Sequence, residues 1–342
     1  MDEAGLAEVA GADSFLVGGV IRDELLGREI VDVDVATADP EVAARAWAER
    51  TGGALVQLSE RHGAWRVGFR GGHTVDFAPL RGTIEDDLAT RDFTVNAIAR
   101  PLGSSEYVDP LGGLADLDAR VLRTVSDAVF RDDPLRLLRA VRLAEELGFA
   151  LTPETEALVR RDAALADKPA GERIFGELER LGEPGIRRLA DLGLLESLGG
   201  SLERLDGAAP SATKGYALAL ALGDGLLRLP ISNELRRFTR VLLTAERPEG
   251  DPRAIHRFRR ATEPWAVEAL GAIGAADLIP AVEEARRTDP AEPLLRGDEL
   301  GLPEGPEIGR MLDRIAEERA AGTIATREEA LDLVREEATW PG

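Results

Sequence analysis

The sequence predicts an α+β protein, with an α/β segment over roughly residues 14–125 and helices from about residue 130 onward. Three observations carry that reading. The run Ile30-Val31-Asp32-Val33-Asp34-Val35 alternates apolar and acidic with period two, the pattern of a strand. Gly71-Gly72 separates two apolar runs, Ala64–Arg70 and His73–Ala78, as the turn of a hairpin. Beyond Asp133-Pro134 the apolar spacing changes to three and four, the helical period.

Along the chain, Phe15 to Val17 is a short strand, Gly18-Gly19 a turn, and Val20 to Leu26 a helix stopped by Gly27. The strand carrying Asp32 and Asp34 follows. Asp39-Pro40 places an N-cap and a first-position proline ahead of a helix to about Arg50. Ala54–Leu58 is a further strand before the hairpin. Thr90-Arg91-Asp92 caps a short helix from Phe93 to Ala99, with strand pieces near Tyr107 and from Val121 to Val125. Asp133-Pro134 opens a helix to Leu147, with Gly148 as its stop, and Thr152-Pro153 opens the next. Further helices are expected at 171–182, 185–194, 212–223, 231–244, 263–274, 276–288, 306–321 and 326–337. The stretches 200–210 and 245–252 read as loops and as candidate domain boundaries.

At 342 residues the chain is long enough for two or three domains, and 44% hydrophobic with 31% charged residues is ordinary for a globular protein. Without cysteine, disulfides and thiolate metal sites are excluded, and three histidines offer little for a histidine-based zinc site. The acidic start Met1-Asp2-Glu3-Ala4 lacks the pattern of a signal peptide, and no apolar run approaches the roughly 20 residues of a membrane span. A cytoplasmic protein is expected. A net charge of −21 argues against a nucleic-acid partner only on average, because local charge decides binding. Apart from Lys168 and Lys214 every cationic side chain is an arginine, which makes planar bidentate contacts to phosphates and base edges.

Aspartate is poor strand material, and Asp32 and Asp34 share a face about 7 Å apart, where they repel. A pair of Mg²⁺ ions would compensate them, which suggests two-metal phosphoryl transfer; a solvent-facing strand is the plainer account. Asp76, on the apolar run Thr74–Ala78, is a third acid that would complete such a site or simply lie at a strand edge. Gly18-Gly19 before a helix is a candidate phosphate cradle, with Arg22 and Asp23 one turn in, but also an ordinary turn. Neither the P-loop nor the dinucleotide glycine fingerprint is present. Arg91, Asp92 and Asn96 offer a guanidinium, a carboxylate and an amide within two turns, either a sugar-phosphate clamp or a capped turn.

The segment from Asp132 to Arg142 puts leucines on one face and Arg136, Arg139 and Arg142 on another. A basic stripe on a core helix is the usual explanation. Asp133 and Arg136 nonetheless place an acceptor beside donors. That polarity matches the pairing edges of cytosine and adenine and opposes those of guanine and uracil. A side-chain pair of this kind can replace a template base. Arg236, Arg237, Arg240, Arg253, Arg257, Arg259 and Arg260 are candidate RNA contacts or ordinary helix surface.

Together these residues resemble the class II tRNA nucleotidyltransferase and bacterial poly(A) polymerase family. Five segments match in order: Leu16–Asp23 with Asp32-Val33-Asp34; Arg91–Ala97; Asp109–Gly113 with Asp116-Leu117; Asp132–Arg136; and Gly171-Glu172-Arg173-Ile174. The stretch from Leu300 to Gly309 also looks like the family's tail. The resemblance implies a polymerase-beta-like head over 1–128, a helical neck over 129–200 with the nucleotide-selecting helix, and a tRNA-binding body and tail over 201–342. It implies that the 3′-hydroxyl of tRNA attacks the α-phosphorus of CTP or ATP. Asp32 and Asp34 would hold two Mg²⁺ ions, and Gly18, Gly19 and Arg22 would cradle the triphosphate. Arg91, Asp92 and Asn96 would grip ribose and phosphates, Asp133 and Arg136 would select C or A, and Glu172-Arg173 would brace that helix. Asp76 stands where the family often has a further acid.

Three departures qualify the match. Thr90 replaces the first of two usual arginines, and Asp132 replaces a usual Glu. The connection Leu80–Leu88 before Arg91-Asp92 is short, which resembles CC-adding members and implies a separate A-adding enzyme. No His-Asp dipeptide occurs, so the phosphohydrolase domain of some relatives is not expected. The alternatives are a poly(A) polymerase, a non-catalytic RNA-binding relative, and nucleotidyl transfer to a small molecule. The acidic Arg335–Trp340 stretch opposes the first, intact Asp32 and Asp34 the second, and the long helical part the third.

Overall fold

The computed structural model describes residues 2–59, 63–288 and 292–337, so Met1 and the terminal Ala338-Thr339-Trp340 lie outside the described residues. The chain divides into two compact units, Met1–Leu198 and Gly199–Gly342. No described helix is long and apolar enough to cross a membrane.

The first unit is built on a six-stranded sheet of β1 (Phe15–Val17), β2 (Asp32–Thr37), β3 (Ala54–Ser59), β4 (Ala64–Gly68), β5 (Thr74–Pro79) and β6 (Ala99–Pro101). The order is β3-β4-β5-β2-β1-β6. β2 and β5 run parallel and the other neighbours antiparallel. Its helices are α1 (Glu3–Ala10), α2 (Gly19–Leu25), α3 (Pro40–Thr51), α4 (Ile84–Ala89), α5 (Gly113–Ala119), α6 (Val129–Asp132), α7 (Leu135–Leu147), α8 (Pro153–Asp162), α9 (Gly171–Leu178), α10 (Glu183–Asp191) and α11 (Leu194–Ser197). A parallel pair, β7 (Val121–Leu122) and β8 (Ala150–Leu151), completes it.

Strand alternation sorts the sheet into two faces. Val33, Val35, Val67, Val75 and Phe77 are buried on one, where α3 packs through Ala43, Ala44 and Trp47. On the other, Val17, Ala36 and Ala99 form a core with Ile84 and Leu88 of α4. The acids Asp32, Asp34 and Asp76 share this second face, with Asp34 directly opposite Asp76 and Asp32 opposite Thr74.

One secondary-structure expectation is corrected in this unit. Phe93 to Ala99 is not a helix but a single 3₁₀ turn, Thr94–Asn96, running into β6. Its backbone is claimed from outside: Thr94 N–H donates to the Arg123 carbonyl, and Ala99 and Val108 exchange both hydrogen bonds. The short connection after β5 is itself a helix, α4, whose capping box joins Thr83 and Asp86 in both directions at 3.0 and 3.2 Å.

The second unit is helical. The expected helices appear as Tyr216–Leu222, Asn233–Thr244, Ala266–Ala272, Ile279–Thr288, Pro306–Ala320 and Arg327–Glu337. An unexpected helix, Pro252–Thr262, follows an N-cap Asp251 whose carboxylate accepts the N–H groups of Arg253 and Ala254. This helix is tied to Pro306–Ala320 by a ladder of ion pairs: Arg253 to Glu318 at 2.8 Å, Arg257 to Glu317, and Arg260 to Asp313 at 2.5 Å. Glu318 is buried and also meets Arg314 at 2.7 Å and the Thr323 hydroxyl. The Arg253 hydrogen bonds, then that of Thr323, hold its carboxyl down at about 2.

A carboxylate with a depressed folded pKa stabilises above its unfolded pKa and ceases to do so as pH falls through the folded value. Glu318→Gln should therefore destabilise the protein by about 1–3 kcal/mol at neutral pH. The difference from wild type should shrink from about pH 4.5 downward and vanish near pH 2. Thermal melts across that range check both the size and the sign.

Candidate active site

Where β1 ends, Gly18 takes φ 79° and α2 begins. A Cβ there would lie 2.9 Å from Arg91 Nη1 and 3.1 Å from Asp34 Oδ2, so only glycine supplies both the left-handed backbone and the space. The turn thus sits between a guanidinium and the central acid of the sheet.

Each acid has a different environment. Asp32 is exposed and accepts the Thr74 hydroxyl at 2.8 Å. Both oxygens of Asp76 are taken by Arg66, at 2.7 Å each, so this third acid is paired in the structure. Asp34 is half-buried and has no such partner among the described residues. Burial pushes its carboxyl up to about 6; Asp76 and Asp32 push the same way, and Arg91 and Arg139 oppose them.

A divalent cation would reverse that penalty. Among the described residues no group of three or more His, Cys, Asp or Glu side chains is arranged to hold a metal. Mg²⁺ is commonly held by one or two carboxylates and completed by water and substrate phosphates. The Asp32/Asp34 pair fits an ion that arrives with its substrate.

Beside Asp34 the Arg91–Asn96 segment is locked from two sides. Gly113 approaches so closely that a Cβ would lie 2.2 Å from the Thr94 carbonyl oxygen, and Asp109 caps α5 through the N–H groups of Gly113 and Leu114. Asp92 is buried and accepts Asn96 Nδ2 at 2.9 Å and the Phe93 N–H at 2.8 Å, with Arg139 Nε 2.9 Å away. Burial acts to raise its pKa, but Arg139, Asn96 and Phe93 outweigh it and hold the carboxyl below its ordinary value. Asn96 in turn accepts Arg22 Nη1 at 2.7 Å.

The start of α7 faces this cluster. Asp133 accepts the Leu135 N–H at 3.2 Å and Arg173 Nη2 at 2.8 Å. Arg136 donates to the carbonyls of Arg91 and Thr90 at 3.1 and 2.8 Å. A cavity of about 210 Å³ is lined by Gly18, Gly19, Asp34, Arg91, Asp92, Asn96, Asp133, Leu135, Arg136, Arg139 and Arg173.

Most of the expected nucleotide-binding residues therefore meet at one place. Asp32 and Asp76 lie on the adjoining sheet face rather than in the cavity lining. Arg22 is buried, its guanidinium engaged by Asn96 and Asp23 beneath Gly19. Arg142 is corrected: it is buried between Glu146 and Glu177, at 2.5 Å from each, and braces α7 against α9. Of the arginines expected to meet RNA, Arg236 donates to the carbonyls of Leu227 and Leu229, and Arg237 to that of Glu263. Arg257 and Arg260 belong to the ion-pair ladder, while Arg240 is exposed and makes no ion pair among the described residues. Arg66 was missed: a turn closed by Gly71-Gly72 alone would set it opposite Phe77, whereas the observed hairpin, with Phe69 bonded to His73, sets it opposite Asp76.

The Poly A polymerase head domain family matches residues 14–83 and 74–123. A CC-adding tRNA nucleotidyltransferase of Geobacter sulfurreducens is 46% identical over 181 residues, 52% of this chain and 42% of that one. An A-adding tRNA nucleotidyltransferase of Deinococcus radiodurans is 48% identical over 191 residues, 53% of this chain and 44% of that one. The similarity thus spans less than half the length of these two relatives. The solved Bacillus stearothermophilus CCA-adding enzyme in complex with CTP is 28% identical with a TM-score of 0.71, covering 97% of this chain and 95% of that one. A CC-adding tRNA nucleotidyltransferase of Thermus thermophilus is 32% identical over 93% of this chain and 92% of its own. On that near full-length match, the chain belongs to the family of CC- and CCA-adding tRNA nucleotidyltransferases.

Proposed function

We propose that this protein is a cytoplasmic enzyme that adds cytidine from CTP to the 3′ end of tRNA. The observation that carries the proposal is that Asp34, Arg91 and the Asp133/Arg136 pair line one cavity. Such a site meets the needs of nucleotidyl transfer without a template: a seat for a cation, cationic donors for phosphates, and an acceptor beside donors for a base edge.

Asp32 and Asp34 would hold the Mg²⁺ ions. When bound, these ions supply charge neutralisation at the transferring phosphoryl group and activation of the attacking hydroxyl. Arg91 and Arg139 contribute donors to the triphosphate, and Gly18 lets its backbone approach. The tRNA 3′-oxygen forms a bond to the α-phosphorus, and the bond to the pyrophosphate leaving group breaks. Arg136, held by two backbone carbonyls, and Asp133, held by Arg173, present a pre-set donor–acceptor edge to the base.

The compact α4 connection and the CC-adding relatives support arrest after two cytidines, with a separate A-adding enzyme completing the end. The A-adding relative supports a second reading, in which this chain adds only the terminal adenosine from ATP. Extension of tRNA transcripts ending at the discriminator base, after one C or after two, separates them. Arrest after two cytidines is the expected result; ATP-dependent extension of the two-C transcript alone supports the second reading, and completion from the discriminator base identifies a full CCA enzyme.

Asp34→Ala should lower transfer at least about a thousandfold while tRNA binding persists, since several kcal/mol of transition-state stabilisation depend on the cation. Single-turnover extension beside a filter-binding assay reads both; turnover equal to wild type rejects the assignment. Arg136→Ala should reduce preference for CTP over UTP by at least about tenfold, the scale expected when a hydrogen-bonding site loses one partner. Competition between labelled CTP and UTP measures it.

A further inference from the structure

Asp87 is a buried carboxylate to which the proposed chemistry gives no role. It is 7% exposed and accepts Arg91 Nη2 at 2.9 Å. Four-residue spacing makes such pairs common along helices, where exposed ones contribute only about 0.3–0.5 kcal/mol. Here α4 has ended at Ala89, so the pair spans the helix end and holds a side chain beyond it.

The carrier of Asp87 is itself fixed to the catalytic face of the sheet. Ile84 and Leu88 lie in the core with Val17 and Ala36, the residues flanking the Gly18 turn and following Asp34 on β2. With Nη2 committed to Asp87, Arg91 directs Nη1 toward Gly18 and the Asp34 carboxylate. Among the described residues Nη1 makes no hydrogen bond, so the guanidinium retains unused donor capacity beside the cavity. Asp87 also offers Arg91 a carboxylate other than Asp34, leaving Asp34 free for a cation.

We infer that Asp87 is a positioning residue that aims the Arg91 guanidinium at the phosphates of the bound nucleoside triphosphate. The inference rests on the nucleotide-binding reading above. It assigns the β5–Arg91 connection a task apart from its length: α4 is the mount of the phosphate-binding arginine.

The test compares full-length wild type, Asp87→Asn and Asp86→Ala by calorimetric titration with CTP and Mg²⁺, steady-state kinetics and thermal melting. Asp87→Asn keeps the side-chain volume and removes the charge. Asp86→Ala breaks the α4 capping box without touching Arg91. Asp87→Asn should weaken CTP binding roughly tenfold, the effect of misdirecting one charge-assisted hydrogen bond. The KM for CTP should rise in proportion while kcat stays within about threefold. Asp86→Ala should lower the melting temperature yet bind CTP within about twofold of wild type. Wild-type affinity in Asp87→Asn, or an equal loss in Asp86→Ala, overturns the positioning role and leaves the nucleotide-binding reading intact. A wild-type protein that does not bind CTP overturns both.

Discussion

Asp92 is 6% exposed and ionised, with Arg139, Asn96 and the Phe93 N–H gathered around its two oxygens. From it a line of polar contacts runs without a break, Arg22 to Asn96 to Asp92 to Arg139, joining α2, the turn before β6 and α7. A buried charge is tolerated only with such partners, and removing one of them costs about 3–5 kcal/mol because the remaining charge cannot reach water. The requirement is geometric as much as energetic. Gly18, Arg91 and the start of α7 can face one cavity because this carboxylate accepts one relative arrangement of the elements that carry them.

The sheet face next to it is arranged on the opposite principle. Asp34 stands opposite Asp76 on a parallel strand and two residues from Asp32, so like charges are crowded where the strand backbone cannot relax them. Two are answered locally, Asp76 by Arg66 and Asp32 by the Thr74 hydroxyl. Asp34 has no such partner among the described residues, and its carboxyl is raised by burial and by its neighbours. Folding contributes the stability that holds this acid in place, and on the proposed reading a cation bound with substrate would recover it. Permanent satisfaction would have made the site more stable and less able to bind one.

The sheet and the site were legible because they rest on period-two alternation and on turns whose residues have few alternatives. Asp32, Asp34 and Gly18 fall where those patterns put them. The errors share a physical origin, which is tertiary demand on a local pattern. The Phe93–Ala99 segment has helical spacing, but Arg123 and Val108 claim its backbone groups for sheet-like bridges. Arg142 has the same spacing as Arg136 and Arg139, yet sits where α9 places Glu177 against it. A separate case is Arg253, Arg257 and Arg260, open between RNA contact and helix surface in sequence, whose partners Glu318, Glu317 and Asp313 are more than fifty residues away. Nothing local announces that pairing. By contrast, Asp87 with Arg91 was readable from four-residue spacing, while Arg66 meets Asp76 because the hairpin turns over three residues and not over the two glycines alone.

The same pairing habit explains how a chain with a net charge of −21 can present a site for polyanions. Each cationic group around the cavity is held by the protein before any ligand arrives: Arg91 by Asp87, Arg139 by Asp92, Arg173 by Asp133, and Arg136 by two backbone carbonyls. A guanidinium has five N–H donors, and a carboxylate partner uses only some of them. Pairing therefore fixes direction without exhausting donor capacity, and it lowers the entropy lost when a phosphate or base edge is engaged. Unpaired arginines would raise the local potential, but they would also collapse onto Asp34, the acid proposed to hold a cation. A site built from arginines with acidic holders gives up long-range attraction for aim. In a protein whose net charge is acidic, that arrangement would make the proposed recognition depend on close fit and on a cation arriving with the substrate.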